Sequence, residues 1–459
     1  MKFIRLFFIF FLVCFSYDLS QAATKYIRSG ANGSGTSWAD AYGSFKTAGL
    51  NDSASQSVRG NIYYIADGSY GGVEFRNAEN GSEYITIKKA TIEDHGTDIG
   101  WENSYGDGQA LFGNLTFSSA YWIFDGQTRS DWKAGYGFKA TNNSINGKIV
   151  RINAGADYIT LKYTEFENLR GTDADPADDG LYSPYVTTHI NIQYTYWHEI
   201  SRDILLMDNS DDVLVEYSQF TRNNSGVEGK HGQGLRFWGN KVDNGSDNIT
   251  IRYNRIENIV GTGYIVLAWG NDNVKIYGNV FYRSSNDTRG GVGTGVIVDI
   301  SEPGEIGLSN CRIFNNTFVN INGWNAGIRI KFAASATNYA YNNLWYTSGY
   351  KPSGTKTTVS MQDIINGFNY FSDIERDNGI YKESDQVGSI NPLVDWENDD
   401  FSLAVPTDSG NDEIGDEFKT DPNGLVRGVD LCLDRGAFEY FKGTTPQISA
   451  PKKLKVISP

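Results

Sequence analysis

Apolar positions along this chain recur in one short pattern, with no helical spacing and no long runs outside the amino terminus. An apolar residue is followed three positions on by a small polar one, and two beyond that by a bulky apolar one. The copies are Leu161/Thr164/Phe166, Ile192/Thr195/Trp197, Val215/Ser218/Phe220, Ile251/Asn254/Ile256, Ile276/Asn279/Phe281, Ile313/Asn316/Phe318 and Ala340/Asn343/Trp345. Successive copies from Phe166 to Trp345 lie 31, 23, 36, 25, 37 and 27 residues apart. A second β-like run precedes each unit, at 203–207, 234–238, 264–267, 295–299 and 327–331.

Such strands cannot bury their faces alone; stacked unit on unit they gain hydrogen-bond partners and a continuous apolar interior, the logic of a solenoid. The missing helical periodicity argues against βαβ crossovers, and the uneven spacing against the regular blades of a propeller. The expected fold is all-β, a right-handed parallel β-helix with coils about 4.8 Å apart. Asn254, Asn279, Asn316 and Asn343 then fall at equivalent turns, where their amides can form a ladder or serve simply as turn formers. Fainter copies at 84–87 and 121–126 start the solenoid near residue 59, and 37–50 reads as a short capped helix shielding the edge of the first coil. The organisation expected is a signal peptide at 1–22, an N-terminal cap at 23–58, the β-helix at 59–349, C-terminal coils and an irregular cap at 350–440, and a tail or linker at 441–459.

Composition agrees: 459 residues carry 51 Gly and 28 Tyr but only 3 Met, which favours strands and turns, and 39% hydrophobic residues exclude a disordered chain. Residues 1–22 have the charged start (Lys2, Arg5), apolar centre and small-residue end of an export signal, so a secreted, periplasmic or cell-surface protein is expected, with no transmembrane segment. Losing that segment moves the net charge from −15 to −16, which excludes nucleic-acid binding through bulk charge. Cys311 and Cys432 then remain, as one disulfide or as two thiols. A monomer is expected.

Several segments resemble secreted bacterial right-handed parallel β-helix proteins of the pectate-lyase-like fold. They are the opening run 26–42 (YIRSGANGSGTSWADAY), the Asn-Asn-Thr-Phe unit at 315–318, the closing motifs 391–395 (NPLVD) and 400–403 (DFSL), and the ending 435–440 (RGAFEY). The resemblance implies the fold and export. That fold hosts lyases, glycoside hydrolases, epimerases, tailspikes and non-catalytic surface proteins, so chemistry has to come from the residues.

Counting two and four positions past the leading glycine of each second run lines a strip with Arg236 and Trp238, Ile265 and Leu267, Ile297 and Asp299, then Arg329 and Lys331. A one-residue slip would turn it inward. Long loops at 221–233 and 284–293, alternating with a short one at 257–262, would stand as walls of a groove for an extended polysaccharide, an acidic one if Lys230, Arg236, Arg289, Arg329 and Lys331 reverse the local sign. The reaction expected on a uronate polymer is β-elimination, with Lys331 as base beside Asp299 and Arg329 or Arg236 clamping the carboxylate; a surface ion pair of Lys331 with Asp299 is the alternative. His231, flanked by glycines and by Lys230 and Gln233, is a second candidate base, and Trp238, Lys230, Gln233 and Arg289 are candidate substrate contacts. Asp173, Asp175, Asp178 and Asp179 offer oxygen ligands for Ca²⁺, or form a solvated acidic loop. No zinc, nucleophile-elbow or phosphate-loop motif occurs. A polysaccharide lyase on an acidic glycan is the favoured reading, a glycoside hydrolase the next enzyme, and a non-catalytic adhesion or glycan-binding protein the alternative.

Overall fold

The computed structural model describes residues 22–51, 59–142, 144, 147–168, 178–221, 232–239, 245–287, 295–301, 305–321, 326–330, 337–348, 358–362, 364–376 and 382–441. Among them the chain winds repeatedly through three parallel sheets. Sheet A has twelve strands, from Thr24–Ile27 to Ile365–Gly367; sheet B has twelve, from Gly68–Ser69 to Gln386–Gly388; sheet C has eleven, from Val73–Phe75 to Glu375–Arg376. Each strand pairs with its counterpart one coil away, so the fold is a parallel β-helix.

The sevenfold pattern sets the register. Leu161, Ile192, Val215, Ile251, Ile276, Ile313 and Ala340 are successive partners in sheet A. Phe166, Trp197, Phe220, Ile256, Phe281, Phe318 and Trp345 are successive partners in sheet B, all fully buried. Their rings stack where neighbours are aromatic, at 3.8 Å for Phe166–Trp197 and 3.7 Å for Phe318–Trp345. One apolar core therefore runs from Ile27 to Ile374.

The small polar residue of each unit turns the chain from sheet A to sheet B. The asparagine ladder forms: Asn254, Asn279 and Asn316 each donate a side-chain N–H to the amide oxygen of the next, at 3.0 Å, and Asn343 continues it to Asn369 at 3.1 Å. Each of these oxygens also takes the backbone N–H of the preceding asparagine, so a turn that would bury unsatisfied donors satisfies them coil by coil. The residue just before each rung is left-handed: Tyr163, Tyr194, Tyr217 and Tyr253 have φ of 53°, 54°, 50° and 58°. That conformation costs a non-glycine residue roughly 1–2 kcal/mol. Stacking of the first three rings at 4.9 and 5.0 Å, and a tilted contact of Tyr217 with Tyr253 at 5.1 Å, offset the cost. The next position is Gly278, φ 64°, where a Cβ would lie 2.6 Å from the tilted Tyr253 ring.

Two features differ from expectation. Sheet A already opens with Thr24–Ile27, paired with Ile62–Ile65. The segment expected as a helical cap, 37–50, consists of hydrogen-bonded turns, among them Ala48 N–H to Ser44 O and Leu50 N–H to Phe45 O. Ser44 and Thr47 cap one another as at a helix start, but Gly43 lies against the Ala31 carbonyl and Gly49 is left-handed, so no helical turn propagates. Cys311 is buried in the core and Cys432 donates to Thr407 O at 3.2 Å; both are free thiols, not a disulfide.

The closing motifs fold back along the coils. Leu393–Asp395 and Asp400–Leu403 form an antiparallel hairpin whose Leu393, Phe401 and Leu403 pack on the outer face of sheet B. Arg435 donates to the carbonyls of Asn369, Ser384 and Ser409, tying the ending to the last coils. No helix among the described residues is long and apolar enough to cross a membrane.

Candidate functional site

Sheet C carries the expected strip, with a corrected register. Arg151, Tyr182, Leu206, Arg236, Val266, Val298 and Arg329 are successive partners and form its outward row. Ile265, Leu267, Ile297 and Asp299 share the inward rows with Leu235 and Phe237, and are at most 1% exposed. Asp299 is thus removed from any groove: its carboxylate accepts from Ser301 N–H, Ser301 O–H and Leu308 N–H, closing a turn. The slip arises because the leading glycine precedes Leu235 and Ile328 by one residue but Ile265 and Ile297 by two.

Arg236 and Trp238 remain on the outer face. The guanidinium carbon of Arg236 lies 3.2 Å from the Trp238 ring centroid, and Nη1 donates to Asp203 Oδ2 at 3.0 Å. Asp203 is 1% exposed and its other oxygen accepts Gln233 N–H, so Gln233 contributes its backbone here. Burial first, and then the neighbouring Asp179 charge, raise the Asp203 pKa. Asp208, partner of Trp238 in the adjacent strand, is likewise raised by burial. Trp269 meets Trp238 edge to face at 4.6 Å. Asp208 Oδ1, Arg236 Nε and Trp238 Nε1 have no hydrogen-bond partner among the described residues. Such a group of buried, unpartnered polar atoms marks a place that a water or a ligand completes.

A second charge cluster adjoins it. Asp179 takes Lys148 Nζ at 2.6 Å and both Nε and Nη2 of Arg202, at 2.6 and 2.5 Å. Asp178 accepts Gly147 N–H and the Asn168 amide. Both aspartates are 1% exposed. Asp179 is therefore balanced by two cations, a donor set that does not fit Ca²⁺, which needs six to eight uncommitted oxygens. Asp173, Asp175, Lys230, His231, Arg289 and Lys331 lie outside the described residues.

The outer face of sheet B is not among the sites expected from the sequence. There Lys139, Glu165 and Tyr196 occupy one row, and Glu167 and His198 the next. Three ligating atoms of Glu165, Glu167 and His198 lie within 4.8 Å of one another, but the ammonium of Lys139 bridges the two glutamates at 2.7 and 2.6 Å and supplies the positive charge a metal would bring. Burial pushes the Glu165 carboxyl up, and hydrogen bonds from His198, Lys139 and Gln109 outweigh it, holding the pKa at about 2. Over this face lies the loop 126–137, whose Trp132 is sandwiched between the guanidinium groups of Arg129 and Arg255, each 4.6 Å from its ring. Lys133 at its tip reaches Glu257 at 2.8 Å and Asp399 of the C-terminal hairpin at 3.4 Å. Alternation of apolar and polar residues could have revealed Glu165, Glu167 and His198; the overhanging loop carries no local signal.

No family model matches the chain, and no curated protein matches it. Among solved structures it is similar to pectate lyase Pel9A, at 14% identity over 92% of this chain and 98% of that one, TM-score 0.44. It is also similar to the Agl-KA catalytic domain, at 14% identity over 72% and 61% of the two chains, TM-score 0.28. The PL6 family alginate lyase AlyGC shows 12% identity over 80% and 54%, TM-score 0.27. At these identities and scores none bears on the chemistry of this chain, which is a parallel β-helix by its own strand pairing.

Proposed function

We propose that the protein is carbohydrate-active, that the outer face of sheet C takes an acidic glycan, and that it cleaves this glycan by β-elimination. The observation that carries the reading is Arg236: a guanidinium fixed from beneath by buried Asp203, stacked on Trp238, with polar atoms around it lacking partners. A cation beside an aromatic ring on a rigid sheet suits a sugar carboxylate and the apolar face of its ring. Arg151 and Arg329 stand three coils to either side, about 14 Å at the usual strand spacing, and Leu206, Val266 and Val298 between them are buried, so the reading places the glycan carboxylate on Arg236 itself.

In this reading Arg236 or Arg329 neutralises the uronate carboxylate, which acidifies the proton on the adjacent carbon. A base, Lys331 or His231, removes that proton; the electron pair forms a carbon–carbon double bond, and the glycosidic oxygen departs and takes up a proton. Trp238, Gln233, Lys230 and Arg289 orient the polymer. No step is assigned to Ca²⁺. In the same proposal the signal-like start directs export, and the protein acts as a monomer.

The second reading, a non-catalytic glycan-binding surface protein, is favoured by the commitment of Lys148 and Arg202 to Asp179 and of Arg236 to Asp203. Ultraviolet absorbance of unsaturated products separates the two. Incubated with pectic, alginate and glycosaminoglycan polymers, with and without Ca²⁺, the enzyme produces a rise with one polymer, reduced at least tenfold in Lys331→Ala or His231→Ala. A folded protein with no rise on any of them is not a lyase.

A further inference from the structure

The loop 126–137 and the C-terminal hairpin meet over sheet B and enclose an open cleft of about 650 Å³, lined by Lys133, Tyr196, Glu257, Asn286, Glu397 and Asp399 among others. We propose that this cleft is a second saccharide site, specific for a neutral oligosaccharide. The inference rests on the reading of the protein as one that handles glycans, and assigns to sheet B a ligand class distinct from that of sheet C.

The floor of the cleft is pre-organised. Glu257 is 6% exposed and accepts from Lys133, Thr221, Gln219 and Asn258, and Asn258 in turn bonds Ser284. Arg255 lies within 4.6 Å of the Trp132 ring and 5.4 Å of the Phe401 ring, holding loop and hairpin in place on either side. The rim differs: Glu397 and Asn398 project from the hairpin turn and are exposed, and Asn286 stands opposite. Carboxylates and amides arranged in this way accept from and donate to neighbouring hydroxyls, the recognition a polyhydroxylated ring requires. Tyr196, stacked on His198 at 4.3 Å, supplies the aromatic surface. Among the described residues of the lining none is aliphatic, which disfavours lipids and apolar ligands. Among the described lining residues, the carboxylates Glu257, Glu397 and Asp399 outnumber the one ammonium, Lys133, which pairs with Glu257 and Asp399. That sign repels a uronate within a Debye length and leaves a neutral sugar unaffected.

Titration calorimetry of the full protein with neutral trisaccharides to pentasaccharides of glucose, galactose, mannose and xylose tests this. One series should bind, with affinity lowered about tenfold or more in Tyr196→Ala and in Asn286→Ala and unchanged in Arg236→Ala. No heat from any neutral series with folded protein overturns the proposal, as does binding that survives both cleft substitutions. Uronate oligosaccharides whose binding is lost in the cleft variants overturn the charge argument. Failure of the sheet C reading shows separately, as no response to uronates while the neutral titration stands.

Discussion

At the scale of single residues, the turn from sheet A to sheet B shows how a polar side chain comes to be buried in a solenoid. The side chain of Asn279 makes four hydrogen bonds: its amide N–H groups reach Asn316 Oδ1 and Ile251 O, and its oxygen takes the backbone N–H and the side-chain amide of Asn254. Asn279→Ala strands two donors of Asn254 and is expected to cost about 2–4 kcal/mol, read from urea unfolding. A second residue with a measurable signature is Glu439. Burial raises its pKa to about 7, against the opposing effect of Arg427 at 3.2 Å and with Asp434 adding to the rise. A carboxyl that holds its proton more tightly folded than unfolded contributes most below about pH 4.5, and that contribution is lost as pH rises toward 7. The wild-type melting temperature should therefore fall relative to that of Glu439→Gln across this window; parallel profiles would contradict the assignment.

At the scale of elements, much of the stacking was legible because it is written as apolar spacing. The seven triplets align rung for rung, and the asparagines are ladder members rather than isolated turn formers. Register in sheet C was not legible, since the glycine used as a marker shifts by one residue between coils, and with period two that moves Asp299 from groove to core. The N-terminal helix does not form because the capping at Ser44 is opposed by Gly43, packed on the Ala31 carbonyl, and by left-handed Gly49. Interior stacking dominates the energetics of these elements. Phe318, at 4.9 Å from Phe281 and 3.7 Å from Trp345, is fully buried, and Phe318→Ala should cost about 3–5 kcal/mol. Chemical denaturation checks it, and a change below about 1 kcal/mol would mean that the column does not bear on stability. Lys133→Met should leave the coils intact yet speed protease cleavage within 126–137, because the loop loses its ties to Glu257 and Asp399.

At the scale of the whole molecule, a strongly acidic chain confines positive charge to small patches of a rigid surface. Of the site residues foreseen in the sequence, Arg236, Trp238 and Gln233 come together, while Arg329 lies three coils away on the same row and Asp178 and Asp179 belong to a buried ion cluster. The two candidate bases, Lys331 and His231, lie outside the described residues. What the sequence could not convey was the partnership of distant segments: Asp203 beneath Arg236, Lys133 against Asp399. The central claim is that Arg236 receives the carboxylate of an acidic glycan, and it holds for a lyase and for a binder alike. The most direct test is calorimetric titration of wild type and Arg236→Ala with uronate oligosaccharides at two salt concentrations. Wild-type binding should weaken with salt and fall at least about tenfold in the variant. Equal affinity of the two proteins, or affinity indifferent to salt, would contradict it.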